Sequence, residues 1–175
     1  EIDQSIEYAT DDTTGEMLNP VKVREARQEE IDELYRRKVW DEVPTSDCWN
    51  ATGKPPITAR WIDIDKGDQI SPVYRSRFVA RQIRAMYGGS DVDGLFAATP
   101  PLEGLRFVLS LAASQKGNKT QKKLSFIDIS KAYLYAPVSN HETFVDLPPE
   151  VAKSGVCGRL NFSLYGTRDA ARNWE

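Results

Sequence analysis

The residue with the sharpest chemical setting is Asp128, in Ser125-Phe126-Ile127-Asp128-Ile129-Ser130-Lys131-Ala132-Tyr133-Leu134. An apolar, β-leaning pair, Phe126-Ile127, delivers a single carboxylate, and an aromatic, Tyr133, follows five places on. A carboxylate at the end of a buried strand is costly unless a cation or donors meet it there. A hard divalent cation such as Mg²⁺ fills that need. The simpler reading of this stretch is an Asp that caps the first turn of a following helix. The stretch by itself leaves both open.

A second constellation is basic. Tyr74-Arg75-Ser76-Arg77-Phe78-Val79-Ala80-Arg81 alternates, so a strand here sets Arg75, Arg77 and Arg81 on one face and Phe78 and Ala80 on the other. A row of guanidiniums suits phosphate contact; a solvated strand face has the same pattern. Asp63 and Asp65 share one face of the preceding run, as metal donors or, more simply, as a polar outer face. Asp91-Val92-Asp93-Gly94 lacks the further acidic ligands and closing Glu of a Ca²⁺ loop and reads as a turn. His141 is the only histidine, and Cys48 and Cys157 match no metal-ligand spacing. A multi-histidine zinc site and a disulfide framework are therefore not indicated, and the two thiols suit a reducing compartment.

The elements that must position these residues follow from periodicity. Val23, Ala26, Glu30, Ile31, Leu34 and Tyr35 recur about a turn apart and predict a helix from Val21 to Lys38. Val39–Pro44 reads as a short extended exit, closed by Pro44, and Thr45–Pro56, rich in turn formers, as a loop. Ile57–Asp65 and Tyr74–Arg81 flank the turn at Lys66-Gly67-Asp68 and predict a β-hairpin. Leu102–Ser114 predicts a helix with Leu105, Val108, Leu109 and Ala112 on its apolar side. A strand over Leu124–Asp128, a helix over Ser130–Tyr135, a strand at Phe144–Leu147, a turn at Gly155–Arg159 and a helix over Thr167–Trp174 complete an α+β layout.

The 175 residues are enough for one domain, and 40% hydrophobic with 28% charged is a globular composition. Residues 1–19 hold six acids and no base and read as an acidic flexible arm over 1–20, ahead of a domain over 21–175. With a formal charge of −3 overall, the remaining 156 residues carry +3, so the local sign is basic where Arg75, Arg77, Arg81 and Arg84 cluster. No run approaches the ~18–20 apolar residues of a membrane span, and no membrane association is expected. The chain opens on Glu1 and stops at Glu175 inside a helix-like run, so it reads as a fragment.

From Arg24 to Glu175 the chain resembles the N-terminal part of a Ty1/copia-type retrotransposon reverse transcriptase. Six blocks stand in family order: Glu25–Glu30 through Trp40–Pro44; Arg60-Trp61-Ile62 with Tyr74–Arg81; Leu95–Arg106; Phe126–Leu134, which resembles polymerase motif A; Phe144–Pro149; and Ser163–Trp174, which resembles motif B. The resemblance implies a partial right-hand polymerase of reverse-transcriptase type, with fingers and an incomplete palm. It implies RNA-directed DNA polymerase activity on an RNA template, a DNA primer and dNTPs, with two Mg²⁺ ions. It places the chain in a larger Pol polyprotein in the cytoplasm or elsewhere in the cell, including a virus-like particle or the nucleus.

By matching position, Asp128 is the motif A metal-binding catalytic aspartate, and the Ile129 carbonyl is a second ligand. Tyr133 is the aromatic that packs under the sugar and leaves no room for a 2′-OH. Arg75 and Arg77 are the cations nearest the incoming triphosphate, with either of them the direct contact. Tyr165 and Gly166 support the nucleotide; Arg81 and Arg168 face template and primer. The motif B stretch departs from the family with Ala171 for the usual Pro and Thr167 for Leu. An aromatic-x-Asp-Asp, the family's motif C, stands nowhere in the 175 residues. One carboxylate does not hold two Mg²⁺ ions, so the polypeptide alone is expected to be inactive. A non-catalytic nucleic-acid-binding remnant of such an element, and an unrelated α+β protein with a structural Asp128, are the competing readings.

Overall fold

The computed structural model describes residues 8–68, 70–82, 101–114, 123–138 and 142–175. The turn at Asp91–Gly94, the block from 95 to 100, Arg84 and His141 lie outside them.

Asn19 opens the first helix, α1 (Pro20–Arg36), its Oδ1 accepting from the amides of Val21 and Lys22. Pro20 occupies a position where no amide is needed. The helix closes on Lys38 with φ +53, which lets Val39 N donate to Leu34 O at 3.0 Å. Val23, Ile31 and Leu34 form its buried stripe, and Glu30 is buried among them. The helix packs on the hairpin β4 (Ala59–Asp65) and β5 (Tyr74–Ala80), which form a two-stranded antiparallel sheet. Its inner face is Trp61, Ser76, Phe78 and Ala80.

A second sheet, in the order β3-β7-β6, joins β3 (Trp40–Pro44), β6 (Phe144–Val145) and β7 (Val156–Leu160), all antiparallel. Ile57, just ahead of β4, bridges it to the hairpin: its N–H donates to Phe144 O, and its carbonyl accepts from Asp146 N. The core gathers Ile31, Leu34, Trp40, Ile57, Trp61, Phe78, Leu134, Val145, Leu160 and Leu164. Trp61 and Trp40 both meet Phe78, at centroid distances of 5.2 and 6.2 Å. The α+β class stands, and no helix among the described residues is long and apolar enough to cross a membrane.

Several local expectations are corrected. Thr45–Thr52 is a helix, α2, ended by Gly53 at φ +65. Gly155–Arg159 is largely the strand β7, because its amides find β3 across more than a hundred residues. The acidic arm is, over residues 8–18, a hairpin of β1 (Ala9–Thr10) and β2 (Met17–Leu18), with Ala9 and Leu18 packed on Val23. Its acids are tied down: Asp12 Oδ2 accepts from Asp63 N at 2.9 Å, and Asp11 Oδ2 from Asp65 N at 2.7 Å.

Residues 124–128 form no strand. A strand needs a neighbour to take its amides, and none among the described residues lies beside this run; Phe126 and Ile127 are about four-fifths exposed. The helix expected after it is a 3-10 turn, Ala132–Tyr135. Helix α3 (Leu102–Ala113) forms as expected, but its apolar side is not buried. The final helix, α4, is confined to Ala170–Trp174.

Candidate functional site

The hairpin presents Arg75 and Arg77 outward, opposite Ile64 and Ile62, while Ser76, Phe78 and Ala80 face the core. What holds it is a buried polar network. Arg27 of α1 meets both oxygens of Asp63, at 2.6 and 3.2 Å, and reaches Glu150 at 3.3 Å. Ser76 Oγ donates to Asp63 at 2.7 Å, and Trp61 Nε1 donates to Glu150 at 3.0 Å. Burial works against the charge on Arg27, but Asp63 and Glu150 outweigh it and raise its pKa. Asp63 is therefore no part of a polar outer face. Asp65 accepts from Gly67 N and Val73 N and shapes the hairpin turn.

The motif B stretch docks on the end of β5. Ala80 N donates to Tyr165 O at 2.7 Å, and Arg168 N donates to Gln82 Oε1 at 2.8 Å. Gly166 turns at φ +83, so close to β5 that a Cβ there would stand 2.0 Å from Ala80 O. The Thr167 hydroxyl, buried, donates to Leu164 O at 2.8 Å and closes the turn from within, which accounts for a polar residue at that place. This docking lays the Tyr165 ring under the Arg77 guanidinium, 5.1 Å from its centroid, and beside Tyr133, ring to ring at 5.3 Å and 58°. Burial pushes the Tyr165 phenol above its ordinary range; Arg77 and Arg75 pull the other way, Glu30 and Tyr133 push with it. Residues from the hairpin, motif A and motif B thus meet at one ring.

Motif A is fixed from below by α1. Lys131 Nζ donates to Glu30 Oε2 at 2.6 Å, and Tyr135 OH accepts from Arg37 Nη2 at 2.8 Å. A cleft of about 300 Å³ opens between α1, β5 and residues 130–131, with Arg75, Ser130, Lys131 and Glu30 on its wall. Asp128 and Ile129 are exposed, on the irregular run ahead of it. As a metal site the donors are incomplete: Asp128 brings one carboxylate and Ile129 one carbonyl, and no group of three His, Cys, Asp or Glu among the described residues is placed to hold an ion.

Of the residues singled out by sequence, Arg75, Arg77, Tyr133, Tyr165 and Gly166 come together. Arg168 joins them through its backbone, and Arg81 stands exposed past the end of β5, its N–H donating to Thr58 O at 2.7 Å. Glu30, Lys131 and Arg37 were not anticipated there. The one signal for them was an acid, Glu30, on the apolar stripe of α1.

A family model described as "Reverse transcriptase (RNA-dependent DNA polymerase)" matches residues 38–175. Among curated relatives, the Transposon Ty1-BL Gag-Pol polyprotein of Saccharomyces cerevisiae is 30% identical over 172 residues, covering 98% of this chain and 9% of the relative. The Transposon Ty1-DR4 and TyH3 Gag-Pol polyproteins of the same yeast are also 30% identical over 98% of this chain, which covers 10% and 9% of them. The chain thus spans about a tenth of the length of the curated relatives it matches. No solved structure matches. With the matched residues taking in the hairpin, motif A and motif B that converge on Tyr165, the chain belongs to the reverse transcriptase (RNA-dependent DNA polymerase) family.

Proposed function

We propose that this protein is the fingers and part of the palm of a copia-type retroelement's RNA-directed DNA polymerase. The observation that carries this reading is the meeting of Arg77, Tyr133 and Tyr165, from three separate blocks of the chain, beside a cleft lined by Arg75. In this reading the two guanidiniums neutralise the incoming triphosphate, with Arg75 reaching it from the cleft and Arg77 braced on Tyr165. Tyr133 lies under the sugar and excludes a 2′-OH. Tyr165 and Gly166 set the plane of the nucleotide base, and Arg81 and Arg168 meet the backbone of the RNA template and DNA primer.

Asp128 and the Ile129 carbonyl would supply two ligands to Mg²⁺, the ion that in this chemistry would activate a hydroxyl and offset phosphate charge. Asp128 and the Ile129 carbonyl do not complete a two-ion site, so the 175-residue chain holds nucleotide and primer–template without extending the primer. Its relatives are Gag-Pol polyproteins, which supports a place in a larger Pol polyprotein working inside the cell.

The test is retention of labelled dTTP by the 175-residue chain on poly(rA)·oligo(dT) with Mg²⁺. Retention should depend on the primer–template and fall at least tenfold in Arg77→Ala and in Tyr165→Ala, with no extended primer. Retention indifferent to both substitutions would overturn the site; extension by this chain would overturn its inactivity. The second reading, a non-catalytic nucleic-acid-binding remnant, draws on the motif B departures at Thr167 and Ala171. It predicts primer–template binding with no dependence on dTTP.

A further inference from the structure

We propose that Glu30 of α1 and Arg37, the residue that caps its C-terminus, are positioning residues for sugar selection: they grip the 131–135 turn at its two ends and so hold Tyr133 against Tyr165. The inference rests on the polymerase reading above and adds to it a part of the chain outside the nucleotide-contacting blocks.

The geometry is that of a two-point clamp. Residues seven apart on an α-helix are rotated by two turns less about 20°, so Glu30 and Arg37 lie on one face, roughly 10 Å apart along the axis. Lys131 and Tyr135 bracket Tyr133 in the same sense. At the first point, Glu30, with 4% of its side chain exposed, takes Lys131 Nζ at 2.6 Å. At the second, the Arg37 guanidinium lies 4.1 Å over the Tyr135 ring and also donates to its hydroxyl. Arg37 is itself fixed by Glu33 at 2.5 Å.

The backbone between the points is under constraint. Lys131 sits at φ +57, ψ 40, a left-handed conformation that a non-glycine residue holds only when its surroundings impose it. The Glu30 ion pair is the polar anchor nearest in sequence to Asp128 among the described residues. Beyond the turn, Ala136 O accepts from Ser163 N at 2.7 Å, which ties the same element to motif B. With both ends of the 131–135 segment fixed, the ring in the middle is held 5.3 Å from Tyr165. An aromatic that rejects a 2′-OH by contact must be held to within a fraction of an ångström, and Tyr133 has no hydroxyl bond of its own among the described residues to do this.

The experiment compares dTTP with UTP for retention on poly(rA)·oligo(dT) by the 175-residue chain, together with its thermal midpoint. The unmodified chain should prefer dTTP. Glu30→Gln and Arg37→Met should each reduce that preference at least fivefold, by admitting UTP. Tyr135→Phe, which removes only an exposed hydroxyl, should reduce it about twofold and guards against loss of the fold. The exchanged pair Glu30→Lys with Lys131→Glu should restore the preference. A merely structural role would lower the midpoint and weaken both nucleotides in step, and that result overturns the clamp. So does a preference unchanged in all variants while the unmodified chain discriminates. An unmodified chain that retains no dTTP instead brings down the polymerase reading, and the clamp with it.

Discussion

Gly166→Ala tests the docking of motif B on the hairpin, and its cost can be built up from the geometry. The new Cβ would lie 2.0 Å from Ala80 O and 2.7 Å from Val79 Cγ1, against an ordinary contact of 3.4 Å or more. Two strands of backbone must therefore part by more than an ångström, and the Ala80 N–Tyr165 O bond goes with them. The left-handed φ of +83 adds about 1–2 kcal/mol for any residue with a Cβ. The lost hydrogen bond adds about 0.5–1.5 kcal/mol, and the repacking of Val79 and Arg77 adds more. Gly155→Ala is the internal control, since Gly155 has a similar φ of +73 with nothing within 4 Å of its Cβ position. Urea unfolding with m of about 2 kcal/mol per M should then show a midpoint lowered by ~0.5–1 M for Gly155→Ala and ~1–2 M for Gly166→Ala. The Gly166 variant alone should also lose dTTP retention, because Tyr165 leaves Arg77. Equal midpoints for the two variants would refute the close approach as the reason for glycine.

Arg27→Met should destabilise by about 3–5 kcal/mol in the same assay, since it strands the buried Asp63 carboxylate, and Arg27→Met with Asp63→Asn should cost less. Asp11 is held below its ordinary 3.8 by the amides of Asp65, Thr14 and Thr13, so its contribution is complete above that value and disappears as pH falls through the lowered one; the Asp65 amide resonance, followed from pH 5 to 2, should report that loss, and should not in Asp11→Asn. Burial, then the bond to Glu42, pushes Tyr35 up to about 12, so its contribution is present below pH 10 and lost as pH rises toward 12; ultraviolet titration should find one fewer late-ionising phenol in Tyr35→Phe. In a polymerase that supplies the remaining carboxylates, Tyr133→Ala should admit ribonucleotides, whereas Asp128→Asn should abolish incorporation of either sugar in a primer-extension assay.

Elements whose signal is local were legible. The stripe on α1 and the alternation of β5 follow directly from burial on one side, and the hairpin turn from Gly67 and its acids. Helix α2 was hidden because Thr45, Ser46, Asp47 and Asn50 favour turns on their own, and only burial of Cys48 against Phe144 and Cys157 makes the helix worthwhile. Strand β7 was hidden for the opposite reason: Gly155 and Gly158 read as breakers, while its pairing with β3 is set by residues more than a hundred positions away. In the site, the grouping of Arg77, Tyr133 and Tyr165 was reachable through the motif blocks. Glu30 was visible as an acid in an apolar stripe, but nothing in the spacing named Lys131 as its partner. The strand expected at Asp128 failed because a run of Phe and Ile states only that something should cover it, not what.

The first hairpin has a consequence for association. A two-stranded sheet has two open margins, and the outer one of β4 would offer its amides to any extended chain that came alongside. Asp11 and Asp12 occupy those amides with side-chain oxygens, and Asp12 N fills the Asp63 carbonyl as well. Two carboxylates thus stand in for a third strand while presenting negative charge to an incoming one. The acidic segment is in this sense a terminator of the sheet. It keeps the β4–β5 hairpin from being lengthened by a neighbouring polypeptide.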